Sequence, residues 1–373
     1  MITFVITART SFTKMLPIIK EAINHKLEVN CIATASSINE KYGDISRSLD
    51  SISGLTVKKL VTLCESDLPI SMVNTLTLTT QTCAHVFKED NPSCVVVMAD
   101  RHEVLGPAIA ASYQNIPLVH IQGGELSGNI DNKVRYAISS LADLHFPATK
   151  QSCLNLINMG IAKEQIIYSG CPSIDLAIDA IKNENKFKTQ QIINNEGVGA
   201  LINLKEPYII VMQHPVTNEL DQAGDQIKKT LFAINKYGLK TIWFWPNSDA
   251  GTDFISKELR RARENEMTSN IRFIKNLPPN LFLPLLNNSS GILGNSSVAI
   301  RECSFLGVPA INIGTRQINR ERGINVVDCD YDEDQILGHL KNHFEKNIKK
   351  DELYGFGKAS EIIVNNLINF YEK

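Results

Sequence analysis

Two groups of polar residues in this chain have types and spacing suited to chemistry, one in each half of the sequence. In the first half, Asp100-Arg101-His102-Glu103 follows an apolar run at 95–99. The loop Gln122-Gly123-Gly124-Glu125-Leu126-Ser127-Gly128-Asn129-Ile130-Asp131 follows a second run that ends at Ile121. Acidic residues at the ends of neighbouring parallel strands point into one crevice, where paired carboxylates shift each other's pKa and serve as acid and base. Asp100, Glu125 and Asp131 are the candidates for that work. Plainer readings stand beside this one: an N-cap for Asp131, ahead of a helix through Arg135 and Ile138, and an Asp–Arg salt bridge at Asp100. The glycines before Glu125 suggest close approach of backbone to a ligand.

The second group suits an anion. Gly294-Asn295-Ser296-Ser297 lies between an apolar run at 291–293 and a helix expected to start near Val298. Such a junction leaves backbone N–H groups and a positive helix end facing an anion, although Asn and Ser are also the usual cap residues. Gly314-Thr315-Arg316-Gln317, then Arg320, Glu321 and Arg322, follows the run at 308–313. Arginines at a strand's carboxyl end suit a diphosphate better than a solvated face. His214, in Gln213-His214-Pro215-Val216-Thr217, ends another run of the same half. Together these loops indicate a nucleotide-diphosphate site.

The elements that must carry these loops are legible as short apolar runs alternating with stretches of helical period. In the first half the runs are 2–7, 27–33, 55–60, 94–99 and 116–121; after a polar stretch they resume at 208–212, 239–245, 271–274, 291–293 and 308–313. Strands apolar on both faces and joined by helices form parallel sheets covered on both sides. The fold class is therefore α/β, with two doubly wound Rossmann-like domains in tandem. Their expected limits are 1–181, a linker region at 182–205, a second domain at 206–355, and a terminal helix at 356–373 near the domain boundary. Ligands of such sheets sit at the carboxyl ends of the strands, so the expected site is a cleft faced by both domains. Trp243 and Trp245 belong to a core strand.

Composition sets limits. A 373-residue chain with 43% hydrophobic and 21% charged residues suits two soluble domains. A net charge of -2 supplies no global field toward nucleic acid or an anionic membrane. No apolar run reaches the roughly 18 residues that span a bilayer, and no leader pattern precedes the first strand, so a cytoplasmic location is expected. The eight cysteines include no C-x-x-C pair and read as reduced, buried thiols. Dinucleotide, P-loop and H-E-x-x-H fingerprints are absent.

In this order the loops resemble the hydrolysing UDP-N-acetylglucosamine 2-epimerases. The matching segments are Asp100-Arg101 with Glu103, His120-Ile121-Gln122-Gly123-Gly124-Glu125 with Gly128 and Ile130-Asp131, His145-Phe146, and Gly170-Cys171-Pro172-Ser173. They continue with His214-Pro215-Val216-Thr217, Pro246-Asn247-Ser248-Asp249, Gly294-Asn295-Ser296-Ser297, Ile300-Arg301-Glu302 and Asn312-Ile313-Gly314-Thr315-Arg316-Gln317 with Arg320. The resemblance implies a glycosyltransferase-B-like fold, no cofactor and no metal, a UDP-sugar as substrate, and a homodimer. It implies removal of the proton on the sugar's second carbon, loss of UDP from the first, and addition of water across the resulting glycal. Asp100, Glu125 and Asp131 are then the catalytic acids and bases. Arg9, His214, Asn295, Ser296, Ser297, Arg316, Gln317 and Arg320 would hold UDP, and Glu302 the ribose. Arg9-Thr10-Ser11-Phe12-Thr13-Lys14 departs from the family's Arg-Ala-Glu/Asp-Tyr/Phe-Gly, and His102 stands where an aromatic is commoner. The sugar is thus either N-acetylglucosamine or a 2,4-diacetamido-6-deoxy analogue of the kind used for sialic- or legionaminic-type acids. A glycosyltransferase of the same architecture and a non-catalytic UDP-sugar binder are the competing readings.

Overall fold

Apolar residues fill the inner strands on both faces, so helices must cover both faces of each sheet. The computed structural model of the chain describes every residue except 67, 128–129, 217–218, 247–250, 266–267 and 372–373. Of the residues singled out above, Gly128, Asn129, Thr217, Asn247, Ser248 and Asp249 lie outside the described residues. The chain divides into two units. The first comprises Met1–Leu126, Ile130–Asp175 and Gly355–Lys373, and the second Ser127–Asn129 and Leu176–Tyr354.

In the first unit the strands are β1 (Ile2–Ile6), β2 (Val29–Thr34), β3 (Leu55–Leu60), β4 (Cys94–Met98), β5 (Leu118–Ile121) and β6 (Leu144–Phe146). They pair in parallel in the order β3-β2-β1-β4-β5-β6. Every residue of β1 and β4 is buried. Edge strand β3 instead carries Lys58 and Lys59, paired with Asp90 at 2.5 Å and Asp50 at 2.7 Å. Charge on an edge discourages further strand addition. The strand order reverses between β1 and β4, and such a switch point opens a crevice at the strands' carboxyl ends. Arg9 follows β1 there, Asp100 follows β4, and the Glu125 loop follows β5.

The terminal helix Ala359–Tyr371 belongs to this unit, where Ile363, Val364 and Leu367 join the core beside Ile18, Ile19 and Ala22. Its start is fixed by the Asp175 carboxylate, which accepts from Ala359 N at 3.2 Å and Ser360 N at 2.7 Å.

The second unit contains β7 (Val198–Gly199), β8 (Tyr208–Met212), β9 (Lys240–Phe244), β10 (Ile271–Ile274), β11 (Ile292–Gly294), β12 (Ala310–Ile313) and β13 (Val326–Cys329). Their order is β13-β12-β11-β8-β9-β10-β7, parallel except for β7. Without β7 this repeats the first sheet's topology, with its switch point between β8 and β11. Trp243 is fully buried in β9 against Phe273. The polar stretch 182–205, expected as a linker, is structured. Helix Lys186–Glu196 and β7 occupy most of it, because Ile193 is buried and the Arg272 guanidinium gathers its carbonyls. Arg272 Nε donates to Ile193 O at 3.0 Å and Nη1 to Gly199 O at 2.8 Å. Among the described residues no helix is long and apolar enough to cross a membrane.

Gly294 shows how closely the second switch point is built. Its φ is +137°, and a Cβ there would lie 2.1 Å from the Met212 carbonyl oxygen of β8. Gly294→Ala should therefore destabilise the protein by about 2 kcal/mol or more, from backbone strain plus overpacking. A denaturant titration checks this: the midpoint should fall, and an unchanged midpoint would show that the strands can part at no cost.

Candidate active site

Helix Asp131–Leu141 organises the carboxyl edge of the first unit. Ile130 occupies the N-cap position and makes no side-chain cap bond, so Asp131 is the first helical residue. Asp131, Arg135 and Ser139 recur every four residues and share one face. The Arg135 side chain is only 1% exposed. Its Nη2 pairs with the Asp100 carboxylate, and its Nη1 donates to the Glu125 carbonyl at 2.6 Å. The salt bridge anticipated at Asp100 is present, and its partner is Arg135 rather than the neighbouring Arg101. One guanidinium thus holds the residue after β4 and the loop after β5.

Arg101 turns to another carboxylate. Its Nε lies 2.7 Å from Glu103 Oε1, and His102 Nδ1 lies 2.9 Å from Glu103 Oε2. Burial works to raise the Glu103 carboxyl, but Arg101 and His102 outweigh it and hold it well below the usual carboxylate range.

Glu125 is buried. The glycines before it approach the protein's own chain, not an open space kept for a ligand. A Cβ on Gly124 (φ +78°) would lie 2.3 Å from Ser152 O, and one on Gly123 would lie 2.8 Å from Ser139 Oγ. Asn155 Nδ2 also donates to Gly124 O at 2.8 Å. The loop is thereby pinned against helices Lys150–Asn158 and Asp131–Leu141.

Across the switch point, Arg9 begins helix Arg9–Asn24 and lies against Gly43, where a Cβ would come within 2.6 Å of its Nη1. Ser11 is buried in the same first turn. Lys14 Nζ donates to Gln122 Oε1 at 3.4 Å, and Gln122 Nε2 donates to Cys171 Sγ at 3.0 Å. The Arg9–Lys14 segment, which departs from the family pattern, is therefore wired to the loop that carries Glu125.

In the second unit Asn295 is the hub. Its Oδ1 accepts from His214 N and its Nδ2 donates to His214 O, both at 2.8 Å. Its own carbonyl accepts from Arg316 Nη1 at 3.2 Å and Gln317 Nε2 at 2.9 Å. The loops after β8, β11 and β12 are thus joined in one structure. Asn295, expected among the UDP-binding residues, spends both side-chain amide atoms on the His214 backbone. Gln317 likewise gives its amide N–H to the scaffold. Arg322 supports the same loop, with Nη2 donating to Gln317 O at 3.0 Å and Nε 2.7 Å from Asp328 Oδ2.

Ser296 and Ser297 lie on this edge, with Ser296 Oγ accepting from Val298 N at 3.4 Å. The helix expected near Val298 is a single 3-10 turn, Ser297–Ala299, followed by the five-residue helix Glu302–Leu306. So short a helix has little macrodipole, and an anion here would depend on hydroxyl, backbone N–H and guanidinium donors. His214 and Arg320 are buried, and Arg316 is half-buried. Glu302 is buried, and its Oε2 has no hydrogen-bond partner among the described residues. A buried acceptor left in that state costs about 1–3 kcal/mol unless something else donates to it.

Neither the role of Arg135 nor the scaffold role of Asn295 is evident from the sequence alone. The signal for Arg135 was a polar residue on the buried face of an amphipathic helix, four residues after a candidate carboxylate. Among the described residues, no three His, Cys, Asp or Glu side chains cluster as metal ligands.

Comparisons with known proteins agree with this architecture. Residues 20–368 match the family described as UDP-N-acetylglucosamine 2-epimerase. A Legionella pneumophila protein named UDP-N,N'-diacetylbacillosamine 2-epimerase (hydrolyzing) is 36% identical over 277 residues, covering 74% of this chain and 71% of its own. A Campylobacter jejuni protein named GDP/UDP-N,N'-diacetylbacillosamine 2-epimerase (hydrolyzing) is 27% identical over 327 residues, covering 86% of this chain and 82% of its own. The crystal structure of a Neisseria meningitidis UDP-GlcNAc 2-epimerase bound to UDP-GlcNAc shares the fold, with a TM-score of 0.81, 21% identity and 99% of each chain covered. With its topology, its strand-end loops and these relatives taken together, the chain belongs to the UDP-N-acetylglucosamine 2-epimerase family, as an enzyme of the hydrolysing UDP-sugar 2-epimerase kind.

Proposed function

We propose that the enzyme cleaves UDP from a UDP-linked N-acetyl amino sugar and inverts the sugar's second carbon, releasing UDP and a free manno-type sugar. The observation that carries this reading is the grouping around Arg135, which ties Asp100 to the Glu125 loop from a helix that begins at Asp131. A site for an anionic ligand gains nothing from carboxylates unless they handle protons. In the proposed sequence, a base takes the proton from the second carbon as the bond from the first carbon to the UDP oxygen breaks. Water then supplies hydroxide to the first carbon of the glycal and a proton to the second, on the opposite face. The second unit's loops take the leaving UDP. Arg316, Arg320, His214, Ser296 and Ser297 supply donors to the diphosphate, where charge grows as the bond breaks. The unpartnered Glu302 Oε2 accepts from a ribose hydroxyl. Arg9, the first residue of the segment that departs from the family pattern, supplies a further donor to the diphosphate.

The sugar is a 2,4-diacetamido-6-deoxy compound or N-acetylglucosamine. The names of the Legionella and Campylobacter relatives favour the first, as does the departure at Arg9–Lys14 from the family pattern.

Run in heavy water, the reaction should place one deuterium on the second carbon of the product; a product without it would eliminate the glycal route. Glu125→Gln and Asp131→Asn should each lower kcat about a hundredfold, the scale for losing an acid or base, with UDP affinity unchanged. Asp100→Asn should do the same and also lower stability by about 1–3 kcal/mol, because it removes the charge that answers Arg135. Wild-type turnover in any one of the three would remove that residue from the mechanism.

Arg316→Ala should weaken UDP binding by about tenfold to a hundredfold, the worth of a hydrogen bond to a charged group. Calorimetry with UDP is the check, and unchanged affinity would move the diphosphate off this loop.

A further inference from the structure

The residue before Asp100 is conformationally strained. Ala99 has φ +66°, in the left-handed region that a side chain makes costly, and Gln122 just after β5 has φ +63°. Neither is glycine, so something must hold each turn. At Ala99 that restraint is visible. Its N–H donates to Ile121 O at 2.9 Å, and its carbonyl lies 2.9 Å from Nε2 of His120, a β5 residue with no solvent exposure.

The partners assign the tautomer. A carbonyl can only accept, so Nε2 carries the proton and Nδ1 is left as an acceptor. Ser139 Oγ lies 3.0 Å from Nδ1 and donates to it. The same ring lies behind the next loop, since a Cβ on Gly123 would come within 2.9 Å of His120 Nδ1. His120 therefore touches both strand ends that lead to a candidate carboxylate, and is itself fixed by the helix that carries Asp131 and Arg135.

We propose that His120 is a positioning residue for the reaction: its Nε2–H holds the Ala99 carbonyl in the left-handed turn that aims Asp100, while its ring backs Gly123 ahead of Glu125. The inference rests on reading Asp100 and Glu125 as reacting groups. Burial pushes the imidazole down to about 3, so it stays neutral at working pH. With both nitrogens engaged inside the protein, it is not a proton carrier for substrate.

The test compares His120→Leu with His120→Gln, whose side-chain amide can still donate to the Ala99 carbonyl, and with His120→Leu/Ala99→Gly. Glycine occupies the left-handed turn without help. His120→Leu should lower kcat about tenfold or more while KM and the UDP dissociation constant stay within about twofold. His120→Gln should restore most of the lost kcat, and the double variant should regain part of it. Wild-type kcat in His120→Leu, equal damage in His120→Gln, or UDP affinity falling in step with kcat would overturn the proposal. Should the leucine variant fail to fold, nitrogen NMR of histidine-labelled wild-type protein decides. One ring must be protonated at Nε2 and remain neutral between about pH 5 and 8; its absence overturns the assignment. A wild-type enzyme inactive on every UDP-sugar supplied would instead defeat the functional reading, which separates the two failures.

Discussion

The guanidinium of Arg135 is 1% exposed, and a buried charge must be answered or it costs several kcal/mol. Asp100 answers the charge, and the Glu125 carbonyl takes a second N–H. The loops after β4 and β5 are joined through that arrangement. Parallel strands end in backbone groups that the ladder no longer satisfies, and the loops beyond them need partners from neighbouring strands and helices. Helix Asp131–Leu141 supplies Arg135 and Ser139 to two different strand ends. Two carboxylates that would otherwise sit on independent loops are thus held in one frame, which is the preorganisation that acid–base chemistry requires.

The second sheet meets the same constraint with a neutral amide at the hub, backed by the Arg322–Asp328 pair. Asn295 presents one acceptor and one donor to the backbone of His214, and its carbonyl gathers Arg316 and Gln317. A neutral amide suits this edge, because the arginines already there bring positive charge. The division of labour is physical. One edge is held by an ion pair and carries acids; the other is held by an amide and carries cations.

The parts of the fold legible in the sequence were those in which a single strand announced itself. Runs such as 94–99 and 208–212 are apolar throughout because both faces are covered, and they became β4 and β8. Strands β6, β7 and β13 were missed for reasons of the same kind. β6 is three residues with a histidine at its centre, β13 is largely unburied and carries Asp328, and β7 exists through Arg272, distant in sequence. At the site, Asp100, Glu125 and Asp131 stood out as candidates because strand-end loops are where chemistry collects, and Arg135 ties the first two together. The ion pair of Arg135 and the backbone bonds of Asn295 were not legible, because their meaning lies in partners far along the chain. Asn295 and His214 are 81 positions apart, and no local pattern announces that bond.

In the proposed reaction, holding UDP and handling protons are separate capacities that act in combination. A glycosyltransferase of the same architecture, or an epimerase that keeps UDP attached, would also hold a nucleotide sugar. What separates them is the fate of the sugar's first carbon. The most direct measurement is to follow phosphorus and proton spectra of the wild-type enzyme with UDP-N-acetylglucosamine and with its 2,4-diacetamido-6-deoxy analogue, without any acceptor. UDP and a free manno-type sugar should appear together in equal amounts until the substrate is consumed. A UDP-linked epimer accumulating to equilibrium, or no release of UDP until an acceptor is added, would contradict the proposed reaction.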